Sequence, residues 1–431
     1  MWTFRPAHLV WAAVLTAFVG TLVTCTSSSP ARRALDASDA RPIKVGIVHS
    51  LTGTMAISER SVVDATLLAI DELNAQGGVL GRQVAPIVVD GQSEPAIFAA
   101  GARRLIEDEG VAVLFGCWTS TSRRTVRPIV ELHDVLLFYP VQSEGLEQSD
   151  DIVYTGAMPN QQIMPAVRWA SEQLGKRFFL VGSDYVFPHA ANVMIRAQAE
   201  ALGAEVVGEE YVTLGSKDVD GIVARIAATR PSVVLNTVNG DTNTALFTAL
   251  RARGITPQDV PTLSFSLGEN ELRNMPGVSM AGDYAAWNYF QSIDSRENAA
   301  FVARFKARFG ADRVVSDPME AAYIGVRLWA KAVEDARSTT SALVRQTLAK
   351  QRLAAPEGDV LVDRATNHTW KTPRIGRIRT DGQFDVIWQS NDLVRPVPYP
   401  QWRSPREWEQ DVAALQARWG GGWENAEGST R

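Results

Sequence analysis

Residues 111–145 read VAVLFGCWTSTSRRTVRPIVELHDVLLFYPVQSEG. Val111–Phe115 is a short, wholly apolar run, the pattern of a buried parallel strand. It stops at Gly116 in a segment rich in hydroxyls that also carries a tryptophan. Leu136, Leu137 and Phe138 predict a second such strand, ending at Tyr139 and Pro140. In open α/β sheets, ligands sit just beyond the carboxyl ends of the strands. The groups presented there are Trp118, Thr119, Ser120, Tyr139, Val141 and Gln142. Aromatic walls and neutral hydrogen-bonding groups, without a cluster of charge, suit a small, polar, uncharged molecule.

Outward from this stretch, apolar runs and helical periods alternate. Strands are expected at 43–48, 84–89 and 152–154, with helices at 61–74 and 95–107. A second series follows: strands at 178–181, 205–211, 233–235, 261–265 and 281–286, helices at 189–202, 219–229 and 242–254. Such alternation implies parallel sheets with right-handed crossovers. Helical segments at 297–309, 318–336 and 340–350 read as returning to the first series. Ile375–Thr380 and Phe384–Trp388, joined through Asp381-Gly382, predict a β-hairpin. Ser404-Pro405-Arg406-Glu407 is a capping box with proline at the first helical position. Trp408, Val412, Leu415 and Trp419 then share one helical face, and Gly420–Gly422 closes the helix. A helix docked on its own lobe and a partner-binding helix both fit that pattern.

At 431 residues the chain suits two domains. Its net charge of −5 gives no basic footprint, which argues against nucleic acid as a partner. Arg5 and His8 precede an apolar run, Leu9–Val23, of signal-peptide size. The run ends in Leu22-Val23-Thr24-Cys25, which resembles the bacterial lipobox, with Thr24 where Gly, Ala or Ser is usual. The expectation is a lipoprotein signal over 1–25 with Cys25 lipidated, then a flexible tether over 26–42. A cleaved signal and an uncleaved anchor helix are the alternatives. Cys25 and Cys117 are the two cysteines. With Cys25 lipidated or removed no internal disulfide is possible, and Cys117 reads as a small buried hydrophobe.

Several ordered segments carry a family resemblance: KVGIVHSLTGTMA from Lys44, GCWTSTSR from Gly116, LLFYPVQSEG from Leu136, PNQQ from Pro159 and GSDYVFP from Gly182. NGDTN from Asn239, FSLGENEL from Phe265, AAWNYFQSID from Ala285 and DPMEAAYIG from Asp317 continue it. The chain resembles the substrate-binding proteins of urea and short-chain amide ABC transporters, and the related amide sensor of bacterial amidase operons. The resemblance implies the type I periplasmic-binding fold, an α/β architecture of two doubly wound parallel-sheet lobes joined by a multi-strand hinge. It also implies the partition: 43–157 with 288–370 as one lobe, 158–287 with 371–400 as the other, and 401–431 as a Trp-rich tail. The implied role is periplasmic capture of urea or a small amide for membrane permease subunits, with no cofactor.

That reading adds candidates. Ser50, in Ser50–Thr54 after the first strand, offers a hydroxyl and neighbouring backbone N–H groups. Tyr185 ends the first strand of the second series and would face across the cleft. Asp241 can accept both N–H groups of an amide, or cap the helix from Thr242. Glu269 and Glu271 are further candidates. Ser143 stands where the family often has tyrosine, and Phe187 where the amide sensors carry a second one. Arg123 and Arg124 lie near, so a charged amino acid, as in branched-chain amino-acid-type binding proteins, stays open. An exported sensor of the same fold is also open. Enzyme signatures are absent: no Walker loop, dinucleotide glycine pattern, Gly-x-Ser-x-Gly elbow or His-Glu-x-x-His. The histidines at 8, 49, 133, 189 and 368 have no metal-ligand spacing.

Overall fold

The structure is a computed structural model that describes residues 41–425. The expected signal, Cys25 and nearly all of the tether lie outside the described residues. Among the described residues, β1 (Ile43–His49) comes first, with the β-branched run IKVGIVH. It is followed by α1 (Ala56–Ala75), β2 (Val84–Asp90) and α2 (Pro95–Arg103), which runs on through a π turn at Arg104–Asp108. Next come β3 (Leu114–Gly116), α3 (Ser120–His133), β4 (Leu137–Tyr139) and β5 (Ile152–Tyr154). These strands form an all-parallel sheet in the order β2-β1-β3-β4-β5. We call this sheet and its helices the first lobe.

The second lobe takes α4 (Ile163–Gln173), β6 (Arg177–Ser183), α5 (Val186–Ala201), β7 (Glu205–Val212) and α6 (Asp220–Thr229). It continues with β8 (Val233–Thr237), α7 (Thr242–Ala252), β9 (Thr262–Ser264), α8 (Glu269–Arg273) and β10 (Tyr284–Trp287). α9 (Arg296–Phe309), α10 (Asp317–Ala336) and α11 (Ser341–Leu348) then return to the first lobe, where Phe301, Phe305, Met319, Trp329 and Val344 join its core. A small antiparallel sheet of β11 (Arg352–Ala355), β12 (Gly358–Val362) and β13 (Thr369–Trp370) adds Ala355, Val360 and Val362 to that core. β14 (Arg374–Ile378) and β15 (Phe384–Gln389) form the expected hairpin and extend the second sheet to β15-β14-β10-β9-β8-β6-β7.

The chain thus passes between lobes three times, after β5, after β10 and after β13. One residue ties the three passages together, by its side chain and its backbone carbonyl. Gln161 donates from Nε2 to the Thr369 carbonyl at 3.0 Å, and its own carbonyl accepts from Asn288 Nδ2 at 3.0 Å. Beside it, the buried Lys371 ammonium meets Glu357 at 2.7 Å, and Asp317 accepts the N–H groups of Asn288 and Tyr289.

One expected strand is shorter than the sequence suggests, and three elements lie outside the sequence expectations. The strand expected at Val111–Phe115 is assigned only from Leu114, although Ala112 and Val113 already bond to the Lys44 carbonyl and the Gly46 N–H. α3 was not expected; Pro128 lies inside it, and its hydroxyl-rich start masks the helical period. α4 and the β11–β13 sheet were not expected either. The last element, α12 (Pro405–Arg418), carries the expected capping box, with Ser404 N–H donating to Glu407 Oε2 at 2.8 Å. Its Trp408 and Val412 are buried against Ala190 and Met194 of α5 and Leu146 of the first lobe.

Candidate functional site

The turn after β3 shapes the first wall. Cys117 holds φ +66°, a left-handed conformation that a non-glycine residue adopts at a cost, and its N–H reaches the Val48 carbonyl at 2.9 Å. Gly116 lies so close to the Val48 backbone that a Cβ would clash. This turn sends Trp118 across to the second lobe, where Nε1 donates to Asn239 Oδ1 at 3.3 Å. Tyr139 OH donates to the Trp118 carbonyl at 2.6 Å and fixes the turn from behind. Burial pushes the Cys117 thiol well up, so it is no nucleophile.

Beneath the turn lies a buried ionic cluster. The fully buried Arg123 donates to Glu147 Oε1 at 3.0 Å, to Glu144 Oε1 at 3.1 Å and to Ser120 Oγ at 3.0 Å. Its guanidinium is 4.7 Å from the centre of the Tyr139 ring. Arg124 pairs with the same two carboxylates, at 2.8 and 3.4 Å. Burial alone would raise the Glu147 carboxyl, but Arg123, Arg124 and the Tyr154 hydroxyl outweigh it and hold the pKa at about 2. Two buried cations meet two buried carboxylates here, and the partly exposed Arg127 adds a third cation 3.9 Å from Glu147.

The turn after β1 is also closed upon itself. Ser50 N–H and His49 Nδ1 both contact Glu59 Oε2 at 2.8 Å, and the N–H groups of Leu51 and Thr52 go to Asp90. Thr54 reaches over the cleft and donates to Asp241, which sits at the head of α7 without capping it. Gly240 permits this approach: its φ is +69° and a side chain there would strike Thr54. Gln142 Nε2 donates to the Phe265 carbonyl at 2.9 Å. Ser61 donates to Asn270 Oδ1 at 2.7 Å, and Asn270 Nδ2 to the Ile57 carbonyl at 2.9 Å. Along this last contact runs a groove of about 920 Å³ lined by Thr52, Ile57, Arg60, Asp64, Arg273 and Arg313, among others.

The structure therefore brings Trp118, Gln142 and Asp241 to direct contacts between the lobes. Tyr185 is buried at the start of α5. Other candidates are committed to the protein itself. Thr119 caps α3 by accepting from Ser122 N–H at 3.0 Å, Ser120 donates to Glu144, and Tyr139 holds the Trp118 carbonyl. The Ser50 hydroxyl accepts from Ser93 N–H, and Val141 belongs to the first-lobe core. Glu269 is not brought to this contact. It accepts from Gln291 N–H at 2.7 Å and lines a cavity of about 420 Å³ beside the β14–β15 hairpin. Burial raises its pKa to about 8. Asn239, Thr54 and the Phe265 carbonyl were missed as interlobe contacts, as were Glu144 and Glu147 as the partners of Arg123. Two buried atoms at the inner ends of these strands have no partner among the described residues: Gln142 Oε1 and His49 Nε2.

A family profile described as "Periplasmic binding protein domain" matches residues 43–405. Leu/Ile/Val-binding protein homolog 6 of Brucella suis biovar 1 (strain 1330) is 26% identical over 352 residues, covering 78% of this chain and 87% of that relative. A stretch of 118 residues is 35% identical to a Geobacillus stearothermophilus protein named limonene hydroxylase; the chain spans only 21% of that relative. Among solved structures, an ABC transporter solute-binding protein of R. palustris in complex with 4-hydroxybenzoate superposes with a TM-score of 0.74 at 24% identity. The match covers 84% of this chain and 98% of that one.

Proposed function

The chain belongs to the periplasmic binding protein domain family, and on that premise we propose that it captures a small, neutral, N–H-rich solute, urea or a short-chain amide, for an ABC permease. The two parallel-sheet lobes are those of the type I periplasmic-binding fold. The family binds solutes and is not enzymatic. Its members work outside the cytoplasm, and attachment through Cys25 belongs to this proposal.

One observation carries the choice of solute. Most cations near the interlobe contacts are paired with carboxylates: Arg123 and Arg124 with Glu144 and Glu147, Arg313 with Asp64, and Arg273 with Asp312, while Arg60 is held through Nε by the Leu51 carbonyl. The groups there without a partner, or with spare acceptor capacity, are three sets of oxygens, Gln142 Oε1, the Asp241 carboxylate and Asn239 Oδ1, and one ring nitrogen, His49 Nε2. Urea offers four N–H donors and one carbonyl. A closed cleft must pair most of them, because each unmet buried polar group costs about 1–3 kcal/mol. An acceptor-rich, cation-poor cleft favours such a solute over a carboxylate.

A second reading follows from the relatives, one named for leucine, isoleucine and valine and one seen with 4-hydroxybenzoate. A carboxylate would then lie at the start of α3, where the helix N-terminus favours an anion. Thermal unfolding separates the two. Urea at low millimolar concentration, acetamide, formamide, leucine and 4-hydroxybenzoate are added in turn. A bound solute at ~100 times its Kd adds about 2.7 kcal/mol, a rise of roughly 2–4 °C for a unit of this size. A rise with urea or acetamide alone is the expected result. A rise with leucine or 4-hydroxybenzoate alone replaces it with the second reading. Permease delivery, as against signalling by an exported sensor, is tested by solute uptake in a deletion strain.

A further inference from the structure

The family match ends at residue 405, and the chain beyond it does something the two-lobe architecture does not require. The segment from Pro398 to Asn425 touches each lobe at two places. In the first lobe, Leu146 N–H donates to the Pro398 carbonyl at 2.9 Å, and its side chain packs on Trp408. In the second lobe, Ala190 and Met194 receive Trp408 and Val412. After α12 the chain turns back at Gly420 and Gly421, both at positive φ. Trp423–Asn425 then enters the notch between the first turns of α3 and α5.

Trp423 is the centre of that notch. Its carbonyl accepts from both lobes at once: from Val186 N–H of the second lobe at 2.9 Å, and from the Thr121 hydroxyl of the first at 3.3 Å. The Arg124 guanidinium of the first lobe lies 4.9 Å from the centre of the Trp423 ring. On the second-lobe side, Tyr185 and Glu424 form a β-bridge. Asn425 donates its N–H to the Asp184 carbonyl at 3.0 Å and its Nδ2 to Asp184 Oδ2 at 2.8 Å. The second-lobe contacts are the more numerous and mostly run through backbone. At the notch the first-lobe contacts are one long hydrogen bond and a ring–cation contact, weaker than the second-lobe set there, while the Leu146 contacts hold the start of the segment to the first lobe.

We propose that Pro398–Asn425 is an intramolecular clasp that holds the two lobes closed, with Trp423 as its catch. Candidate-site residues lie on both sides of it, Thr119 and Ser120 just before Thr121 and Tyr185 just before Val186. The clasp therefore seals that side of the cleft and sets how long a solute stays. The effect on solute affinity rests on the binding role proposed above; the effect on closure does not.

Hydrogen exchange read by mass spectrometry on the full chain tests the clasp directly, with Trp423→Ala, Thr121→Val and, as a control at an exposed position of α11 outside the clasp, Leu343→Ala. The clasp predicts faster exchange at a remote interlobe contact, residues 52–57 and 269–274, joined by Asn270 and the Ile57 carbonyl. The expected gain in Trp423→Ala is about 2- to 30-fold, the range set by one ring–cation contact. Thr121→Val moves the same segments less, and β1 keeps its protection in every variant. A change confined to residues 119–125 and 184–189, or equal in the control, overturns the clasp and leaves a locally docked tail. Urea and acetamide titrations of the same proteins form a second arm. If neither binds the wild type, the solute assignment fails while the exchange result still decides the clasp. If they bind, Kd in Trp423→Ala rises by no more than exchange does, since binding weakens only as far as the closed form loses population.

Discussion

Arg123 is a fully buried guanidinium whose partners come from two residues, Glu144 and Glu147, more than twenty positions along the chain. Removing it leaves two buried carboxylates to share Arg124. Arg123→Met is expected to cost about 3–5 kcal/mol, the usual price of a broken buried pair, read as a lower denaturant midpoint at unchanged slope. The same cluster sets an acid limit. Glu147 titrates near 2 in the fold against 4.5 when free, so its stabilisation is complete above pH 4.5 and is lost as pH falls towards 2. Glu147→Gln should flatten the stability curve in that window; an acid limb as steep as in the wild type would assign the loss elsewhere. Trp118 and Asp241 were legible because each ends an apolar run that marks a strand. Their partners Asn239 and Thr54 were not, because 121 and 187 positions separate the two ends of these bonds. Nor could composition show that Ser120 and Tyr139 face inward: a hydroxyl reads the same whether it meets a solute or a neighbouring carboxylate.

Among the elements, α12 is the one whose chemistry was plainest in advance. Its capping box and its stripe of Trp408 and Val412 need only local spacing, and both appear as expected. What the spacing did not show is the partner surface, which combines Leu146 with α5. Trp408→Ala should release the helix: its burial is worth roughly 3–5 kcal/mol, more than a lone helix of this length can supply. Limited proteolysis should then cut within 400–425 while the rest of the chain resists. A tail that stays resistant would mean that Trp423–Asn425 holds it without the helix. α3 was hidden by Pro128 and a run of hydroxyls, α4 passed unassigned, and β11–β13 are too short to show a two-residue period. The helices with a clear apolar face, α5 and α7 among them, were found within a few residues of their ends.

For the molecule as a whole, the alternating rhythm and the ordered motifs reached the two-lobe fold, while the closed arrangement became visible only in three dimensions. Thr54 with Asp241, Trp118 with Asn239 and Gln142 with Phe265 cross the cleft, and Gln161 ties the three connecting passages. Opening must break the first set and bend the second. Thr54→Val removes one crossing bond without altering the core. It should weaken solute binding by about 10- to 150-fold at most, the worth of one hydrogen bond to a charged acceptor, and enlarge the radius of gyration in small-angle scattering without solute. Weaker binding without expansion would mean that the Asp241 contact positions the solute and does not govern closure. Cys117 offers a clock for one wall of the cleft. Its thiol is wholly enclosed at the bend behind Trp118 and is held protonated by its surroundings. An alkylating reagent can reach it only when the packing behind Trp118 opens, so the rate of adduct formation at this sulfur counts the openings of that wall. A solute that holds that wall shut slows the count in proportion to its occupancy, without a label, a chromophore or any change to the chain.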